Sequence, residues 1–434
     1  MPSHSRRALL LTLAGTASTL AGCQSDIWSA TNQTTPSTAS GSTGTTATPT
    51  TRTPEEPPQE GIGGDLKDRP ETVWPTPDRG PSNAAYLPAG PDFEAPPSTA
   101  WELAPVNPDE DHYSPRYLQP VVDGETLYVV NAVIYGTNVA LPETQYLRAV
   151  NTSGEERWTA PLSAGDSAPV PSLPAVHEEF VLVGLDQVLG AYDRATGDTV
   201  WTVAIDGGVH SITPTTQRVI IRASRAIVAV ADGEKQWTVP FETYPSAMAV
   251  GPETVFVGSS KRISALDPAT GKRRWREDLP AVDGGWGVSS VLAVPGGVVV
   301  RQNSGHVYAF SSAGEAVWRT QRRNGGFATD GRSLYASDAD SIRSLRVADG
   351  SVIWERTCDE IPGCDGTIAV RDIAATADTV IASLADGLVV GLAARTGSVQ
   401  WTTQAPITID GIALTGTAIY GVGDIDDPLL QLTT

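Results

Sequence analysis

A tryptophan recurs along most of the chain at intervals that suit one repeated structural unit. Eight of the eleven Trp residues form the series, and successive members are 36 to 57 residues apart. The members are Trp101, Trp158, Trp201, Trp237, Trp275, Trp318, Trp354 and Trp401. Repeats of roughly 40 residues are typical of the four-stranded blades of β-propellers. The spacing therefore predicts a repeat architecture rather than two or three unrelated domains.

The residues before each Trp repeat as well. Residues 191–197 precede Trp201 and residues 265–271 precede Trp275, and both segments fit the pattern A-x-D-x-x-T-G-x-x-x-W. An apolar run forms a strand, the Asp side chain caps turn amides, and Gly supplies a positive φ. This motif resembles the repeat of the PQQ-type, or quinoprotein-like, β-propellers. The resemblance implies that the following strand carries the Trp, which packs as a wedge against the neighbouring blade.

The number and order of the strands predict how the ring closes. Three short apolar runs separate successive Trp strands, so each blade has four strands. After Trp401 three strands follow without a Trp strand, whereas residues 99–103 form a Trp strand without a blade. We therefore predict an all-β, eight-bladed β-propeller of four-stranded antiparallel blades over residues 99–434, in which the N-terminal strand completes the C-terminal blade. Residues 66–98 are expected to be an extended lead-in packed on the propeller, and the chain is expected to be a monomer.

The N-terminal residues have the pattern of an export signal. A twin-arginine pair at 6–7 precedes a short apolar run, and residues 20–23 match a lipobox that ends in Cys23. We predict a twin-arginine lipoprotein signal peptide at 1–22, lipidation of Cys23, and a disordered Thr/Ser/Pro-rich tether at 23–65. The expected location is the outer face of the cytoplasmic membrane. The alternative is an ordinary signal peptide with an incidental Cys.

The charge balance is strongly acidic. The chain has 30 basic and 50 acidic residues, a formal net charge of −20, and its only lysines are Lys67, Lys235, Lys261 and Lys272. Such a charge repels nucleic acid, so a nucleic-acid partner is not expected. A carboxylate-rich surface with few lysines resembles that of proteins from salt-loving archaea. An ordinary acidic secreted protein from a GC-rich genome is the alternative.

Candidate binding residues lie in the loops that lead from a Trp strand to the next inner strand. In a propeller these loops share one face around the central channel. The candidates are His112, Arg116, His210, Asp283, Trp286, Arg322, Arg323 and Asp365. Arg322 and Arg323 would bind an anionic group, unless they are solvated and paired with nearby carboxylates. Trp286 would stack on a ring or sugar, unless it packs under its own Gly-rich loop.

The remaining cysteines are expected to form a structural bond. Cys358 and Cys364 are separated by five residues in a protein expected outside the reducing cytosol, which favours a disulfide that stiffens the loop face. With Cys23 lipidated, no free thiol remains. No metal site is expected, because the five His residues are scattered and none adjoins the two Cys.

Two classes of function fit these features. The first is a non-catalytic binding or scaffold protein for a protein or peptide partner at the cell surface. It is similar to the lipid-anchored propeller of the bacterial outer-membrane assembly complex. The second is a PQQ-dependent sugar or alcohol dehydrogenase, in which the resemblance implies a quinone and a calcium ion at the channel mouth. The chain lacks the adjacent Cys pair often found in those enzymes, so we expect a binding protein without a cofactor.

Overall fold

The computed structural model describes residues 61–66, 76, 82–106, 114–134, 144–163, 171–280, 287–321, 326–338, 340–366 and 368–434. These residues form eight sheets of four or five strands, and the consecutive strands of each sheet pair in antiparallel fashion. Apart from one 3-10 turn, Cys358–Glu360, the described residues contain no helix. The prediction of an all-β, eight-bladed propeller is confirmed.

Two strands precede the first blade, and four blades follow them. The first two are β1 (Tyr86–Leu87) and β2 (Ser98–Leu103). Blade 1 contains β3 (Ser114–Tyr117), β4 (Val121–Asp123), β5 (Thr126–Ile134), β6 (Thr144–Asn151) and β7 (Glu156–Ser163). Blade 2 contains β8 (Ala175–His177), β9 (Phe180–Leu185), β10 (Val188–Asp193) and β11 (Thr199–Ala204). Blade 3 contains β12 (Val209–Pro214), β13 (Val219–Ala223), β14 (Ala226–Ala231) and β15 (Glu234–Pro240). Blade 4 contains β16 (Pro245–Val250), β17 (Val255–Ser259), β18 (Arg262–Leu266) and β19 (Arg273–Asp278).

The second half of the ring repeats this plan. Blade 5 contains β20 (Val288–Val294), β21 (Gly297–Gln302), β22 (His306–Ser311) and β23 (Ala316–Gln321). Blade 6 contains β24 (Phe327–Thr329), β25 (Ser333–Ser337), β26 (Ser341–Arg346) and β27 (Val352–Thr357). Blade 7 contains β28 (Val370–Thr376), β29 (Thr379–Leu384), β30 (Leu388–Ala393) and β31 (Val399–Gln404). Blade 8 contains β32 (Gly411–Leu414), β33 (Ile419–Val422) and β34 (Leu429–Thr433), together with β2.

The two ends of the propeller share blade 8. Strand β2 pairs in antiparallel fashion with β34, and Trp101 lies opposite Gln431. The outer edge of the three C-terminal strands is thus covered by the N-terminal strand. Blades 8 and 1 also meet near the axis, where the Gln119 side chain donates a hydrogen bond to the Ile412 carbonyl at 2.8 Å.

The Trp residues join neighbouring blades. In six of them the indole Nε1 donates to a backbone carbonyl in the turn between the third and fourth strands of the next blade, at 2.6–3.1 Å. The pairs are Trp101–Thr152, Trp158–Arg194, Trp237–Pro268, Trp275–Ser312, Trp318–Val347 and Trp354–Ala394. The glycine of that turn lies under the ring. Gly197 has a φ of +77°, and a Cβ there would lie 2.6 Å from the ring of Trp158. The T-G of the motif is therefore required both by the turn and by the blade contact.

The propeller has two distinct ends. One end, called the turn face here, carries the turns between the first and second and between the third and fourth strands of each blade. The other end, called the loop face, carries the remaining turns and the connections between blades. For example, Phe241 N, in the connection to blade 4, donates to Arg225 O, which lies in the turn between the second and third strands of blade 3.

Residues 82–87 of the lead-in lie against the inner strands at the turn-face end of the propeller. Backbone amides at the ends of the inner strands of blades 5, 6 and 7 donate to the carbonyls of Ser82, Ala84 and Ala85. Strand β1 then pairs in parallel with β28, the inner strand of blade 7. The segment thus supplies partners to backbone groups of the inner strands.

Residues 61–66, which the sequence analysis places mainly in the tether, lie against blades 5 and 6 of the turn face. Gly63 N donates to Pro295 O at 2.8 Å, and Ile62 is buried in the apolar cluster between these blades. Residues 61–66 are therefore part of the turn face.

Candidate functional site

Three of the eight candidate binding residues fall within the described structure, and all three lie toward the loop face. They are Arg116 on β3, His210 on β12, and Asp365 in the connection to blade 7. They belong to different blades, and none contacts another. The other five candidates, His112, Asp283, Trp286, Arg322 and Arg323, lie outside the described residues, as does Cys23.

Arg116 and Asp365 have few contacts of their own. Arg116 lies 4.0 Å from Asp424 of blade 8, whose side chain is mostly exposed. Asp365 is exposed and follows the disulfide between Cys358 and Cys364, whose Cα atoms are 5.4 Å apart. This bond closes a short loop immediately before the inner strand of blade 7.

His210 occupies a β-bulge that recurs in several blades. The pairing of β12 with β13 shifts between Val209 and Ser211, which leaves His210 as the extra residue. The inner strands of blades 4, 5 and 7 shift in the same way, and their extra residues are Ser246, Ser289 and Arg371. Bulges redirect a side chain and are frequent beside binding sites. These four polar residues therefore occupy equivalent places where the inner strands begin at the loop face.

The side chains around His210 form a compact cluster between blades 3 and 4, called the Tyr244 cluster here. It consists of His210, Ser211, Arg222, Ser224 and Tyr244. Arg222 donates to Ser211 Oγ at 3.2 Å, to Tyr244 Oη at 2.9 Å and to the Pro245 carbonyl at 3.1 Å. Its guanidinium also lies 5.7 Å from the centre of the Tyr244 ring, within cation–π range. The ring of His210 meets Tyr244 edge-on, with 5.2 Å between ring centres.

The electrostatics of the cluster favour a neutral imidazole beside a permanent positive charge. Burial lowers the pKa of His210, and the charge of Arg222 lowers it further. Among the residues that the structure describes, Arg222 forms no salt bridge with a carboxylate. Tyr244 is 46% exposed despite these contacts. The cluster thus presents a fixed aromatic ring, and a guanidinium paired only with neutral groups, to the solvent.

Blade 5 carries a related arrangement. Arg301 Nε donates to Ser289 Oγ at 3.0 Å, and its guanidinium lies 4.8 Å from the ring centre of Phe327 at the start of blade 6. Burial lowers the pKa of Arg301. An arginine on the second strand and an aromatic ring from the next blade therefore meet at two places around the loop face.

The described residues do not assemble known catalytic machinery. His210 Nε2 lies 3.0 Å from Ser224 Oγ, a distance suitable for a base and a nucleophile. However, Ser224 Oγ already accepts a hydrogen bond from Gly208 N, and no described carboxylate orients the imidazole. Over the described ranges, no group of three His, Cys, Asp or Glu residues is placed to hold a metal ion. Within the same part of the chain, no helix has the length and apolarity needed to cross a membrane.

Sequence reasoning missed Arg222 and Tyr244. Arg222 is the last but one residue of the apolar second strand of blade 3, and Arg301 is the last but one residue of the apolar second strand of blade 5. A charged residue near the end of an apolar strand is the signal that alignment of the blades would have revealed. Tyr244 lies in a connection that has no counterpart in the repeat motif, so no sequence signal marks it.

The ring of four-stranded blades, joined by Trp and turn glycines, defines a β-propeller of the PQQ type. Residues 143–304 and 259–417 match the family described as outer membrane protein assembly factor BamB. Together the matches span 143–417, more than half of the 434 residues. The chain therefore belongs to this family. No protein of curated function matches the sequence.

Solved structures of two kinds share the fold. BamB from Moraxella catarrhalis is 16% identical with a TM-score of 0.54, and the match covers 68% of this chain and 95% of that one. Quinohemoprotein alcohol dehydrogenase from Comamonas testosteroni is 13% identical with a TM-score of 0.60, covering 83% and 80%. A europium-containing methanol dehydrogenase is 11% identical with a TM-score of 0.61, covering 83% and 91%. At these identities the similarity shows the fold alone.

Proposed function

We propose that this chain is a lipid-anchored, cell-surface scaffold protein that binds a protein or peptide partner on its loop face and catalyses no reaction. The Tyr244 cluster is the centre of the proposed binding surface. The lipid on Cys23 would hold the propeller at the outer face of the cytoplasmic membrane, and residues 23–60 would act as the tether.

One observation carries this proposal. Tyr244 is half exposed on the loop face, and Arg222 and His210 hold its ring in place. Tyr and Arg are the residue types most enriched, with Trp, at the centres of protein interfaces. A ring that is already fixed loses little conformational entropy when a partner packs on it. The cluster is therefore prepared for binding before the partner arrives.

The family membership supports a role in binding. The family is described as an assembly factor, which is a description of a protein that acts on other proteins. The outer membrane is part of the description of the family and not an observation on this chain. We therefore propose only the chemical class of the partner, which is a protein or a peptide.

Crosslinking in intact cells tests the proposal. A photo-crosslinking amino acid is placed at Tyr244 and, as the control, at Arg395, which is exposed in a turn of blade 7 on the turn face. A discrete partner should be captured from position 244 and not from position 395. The purified partner should then bind the Tyr244→Ala variant at least about tenfold more weakly, because truncation of a central aromatic residue costs roughly 2 kcal/mol or more. Equal affinity for the variant and the unchanged protein would refute the proposal.

The anchor has its own test. The Cys23→Ser variant should move from the membrane fraction to the medium while its propeller remains folded, because it lacks the thiol to which the lipid would be attached. If the variant is exported and stays with the membrane, the proposed lipidation is wrong.

We propose the scaffold rather than the quinone-dependent enzyme. A quinone with calcium needs a set of oxygen donors at the channel mouth, and no acidic cluster of this kind is present in the described part of the loop face. The disulfide joins residues six positions apart rather than adjacent ones. Titration with PQQ and Ca²⁺, followed by dye-linked oxidation of sugars and alcohols, should give neither saturable binding nor turnover. Turnover would replace the scaffold proposal with the dehydrogenase.

A further inference from the structure

A cavity lies at the outer part of the junction between blades 3 and 4. Its volume is about 330 Å³, within the usual range of small ligand sites, about 300–1,000 Å³. Phe241 and Glu242, from the connection that leaves blade 3, line one side. Arg262, Ser264, Arg273 and Arg276 of blade 4 line the other. We call this cavity the arginine groove.

The groove exists because the junction changes from apolar to polar along two strands. Val257 on β17 and Leu266 on β18 pack against apolar residues of blade 3. Alternate residues of a strand share a face, so Ser259 and Ser264 occupy the next places on the same surface. Two small serines cannot fill the space between the blades, and Arg262 borders it beside them. The cavity therefore results from the small side chains at these two positions of blade 4.

The arginines around the groove differ in their partners. Arg262 Nε donates to Asp278 at 2.6 Å, and the same guanidinium lies 3.8 Å from Glu242, the carboxylate that lines the groove. Arg274 donates to Asp267 at 2.8 Å. Within the described residues, Arg273 and Arg276 form no salt bridge. The guanidinium of Arg273 lies 6.0 Å from the ring centre of Phe241. On a chain of net charge −20, these two side chains concentrate positive charge beside an aromatic surface.

Comparison with the other blades shows that the fold does not need these arginines. Arg276 directly follows the blade Trp, and four other blades carry Thr at this place. These residues are Thr159, Thr202, Thr238 and Thr402. Arg273 pairs with β18 at the position where Thr199 pairs with β10 in blade 2. A four-stranded blade therefore forms equally well with threonine at both places.

We propose that the arginine groove binds carboxylate side chains of an extended acidic segment in the protein partner. Arg273 and Arg276 would each bind a carboxylate through two parallel N–H donors, and Phe241 would contact the apolar part of the segment. The inference rests on the proposed function, because it assumes a protein partner. It goes further by naming the chemistry that the partner must present.

The position of the groove favours a peptide over a lipid surface. The same short connection carries Phe241 in the groove and Tyr244 in the loop-face cluster, so one extended segment can reach both. The net charge of the chain opposes approach to an anionic membrane. A narrow acidic segment can place its carboxylates in the groove, whereas an anionic membrane would bring a large negative surface close to the acidic surface of the protein.

The test measures binding of two fluorescent probe peptides to the purified full chain. One peptide alternates Glu and Leu, and the second has Gln in place of every Glu. The Glu peptide should bind saturably, and its affinity should fall with increasing salt. The R273T/R276T double variant should bind it at least about tenfold more weakly, since hydrogen bonds to charged groups contribute roughly 1.5–3 kcal/mol. Arg276→Lys should be intermediate, because an ammonium cannot donate two parallel bonds.

The control removes the same charge elsewhere. The R346T/R395T variant alters two exposed arginines, one at the end of β26 in blade 6 and one in a turn of blade 7, and it should bind like the unchanged protein. All variants should keep the same unfolding midpoint to within a few degrees, which a denaturant or thermal scan verifies. Equal weakening in both double variants, or equal binding of the Gln peptide, would show that only overall charge acts and would overturn the proposal. Arginine-dependent binding of vesicles containing anionic lipid, without binding of the Glu peptide, would overturn it in favour of a lipid.

Two outcomes separate this inference from the proposed function. If Tyr244→Ala weakens binding of the crosslinked partner and R273T/R276T does not, the groove proposal fails and the scaffold proposal stands. If binding of the Glu peptide requires both arginines but no partner is captured at position 244, the scaffold proposal fails and the carboxylate specificity of the groove stands.

Discussion

The turn face and the loop face of this propeller are built from the same repeats but follow different rules. On the turn face, an indole of one blade donates to the turn of the next in six places, over a glycine with positive φ. On the loop face the connections differ in length and residue type. One holds a disulfide, and another holds Tyr244.

The difference follows from what each face must do. Radially arranged sheets touch only their neighbours, so the junctions between blades favour the same kind of contact. The six turns that accept an indole hydrogen bond each carry a glycine with positive φ. The loop-face connections stand outside these contacts, so their side chains are free to serve a partner. Substitutions on the turn face should therefore cost stability, whereas substitutions on the loop face should change binding.

The largest effect is expected from Trp354→Ala. The Trp354 ring is buried, and its indole donates to the Ala394 carbonyl of blade 7 at 2.8 Å. Truncation removes a large buried side chain and leaves a cavity, so we expect a loss of about 3–5 kcal/mol in the free energy of unfolding. Urea unfolding followed by fluorescence of the remaining Trp residues measures it. A loss below about 1 kcal/mol, the size of a typical surface change, would show that the Trp does not join the blades.

A matched pair of glycines compares the two faces directly. Gly397, with a φ of +68°, lies under Trp354, and a Cβ would be 2.5 Å from its ring. Gly366, in the loop-face connection, has a φ of +93° and no atom within 4 Å of a Cβ. Gly366→Ala should cost only backbone strain, about 1–2 kcal/mol. Gly397→Ala should cost about 1–3 kcal/mol more, because the new methyl overpacks the junction. Equal losses in thermal or urea unfolding would contradict a role of the indole contact in selecting glycine.

The repeated part of the molecule could be predicted from the sequence because one contact between blades recurs at six junctions. A Gly four residues before a Trp marks the turn that precedes most of the Trp strands, so the eight blades could be counted from the sequence. The position of the lead-in against the inner strands could not be predicted. It depends on which inner-strand amides are left without partners, such as that of Thr329, and no residue pattern records this.

The candidate site was predicted less completely. The sequence pointed to the loop face and to His210, because the order of strands decides which loops share a face. It did not identify Arg222, whose role depends on reaching Tyr244 across a blade junction. It also gave no sign of the arginine groove, since a cavity arises from the packing of two blades and not from a motif in either.

The disulfide should contribute less than the Trp contact. It closes a loop with a sequence separation of six residues on the loop face. In the chain-entropy account, a loop of this size contributes about 2 kcal/mol. The Cys358→Ser and Cys364→Ser double variant should lose roughly this amount in urea unfolding, whereas addition of a reductant to that variant should have no further effect. A loss as large as that of Trp354→Ala would show that the loop face shares the structural role assigned to the turns.

The smallest effect is expected from the pH dependence of two histidines, one at each face. Burial lowers the pKa of His177, at the turn-face end of blade 2, and burial together with the charge of Arg222 lowers the pKa of His210. A histidine with a lowered pKa binds fewer protons in the folded state than in the unfolded state. Its contribution to stability is therefore fully present above about pH 6.5, the unfolded value, and is lost as the pH falls below it.

Urea unfolding of the unchanged protein, His177→Gln and His210→Gln is compared between about pH 7.5 and 5. This pH range brackets the ordinary histidine pKa of about 6.5. The free energy of unfolding should fall less at low pH in each variant than in the unchanged protein. Only His210→Gln should also reduce the pH dependence of partner binding, because protonation of His210 places a second positive charge beside Arg222 and Tyr244. If His177→Gln changes the binding profile as much as His210→Gln does, the two faces are not divided between stability and binding.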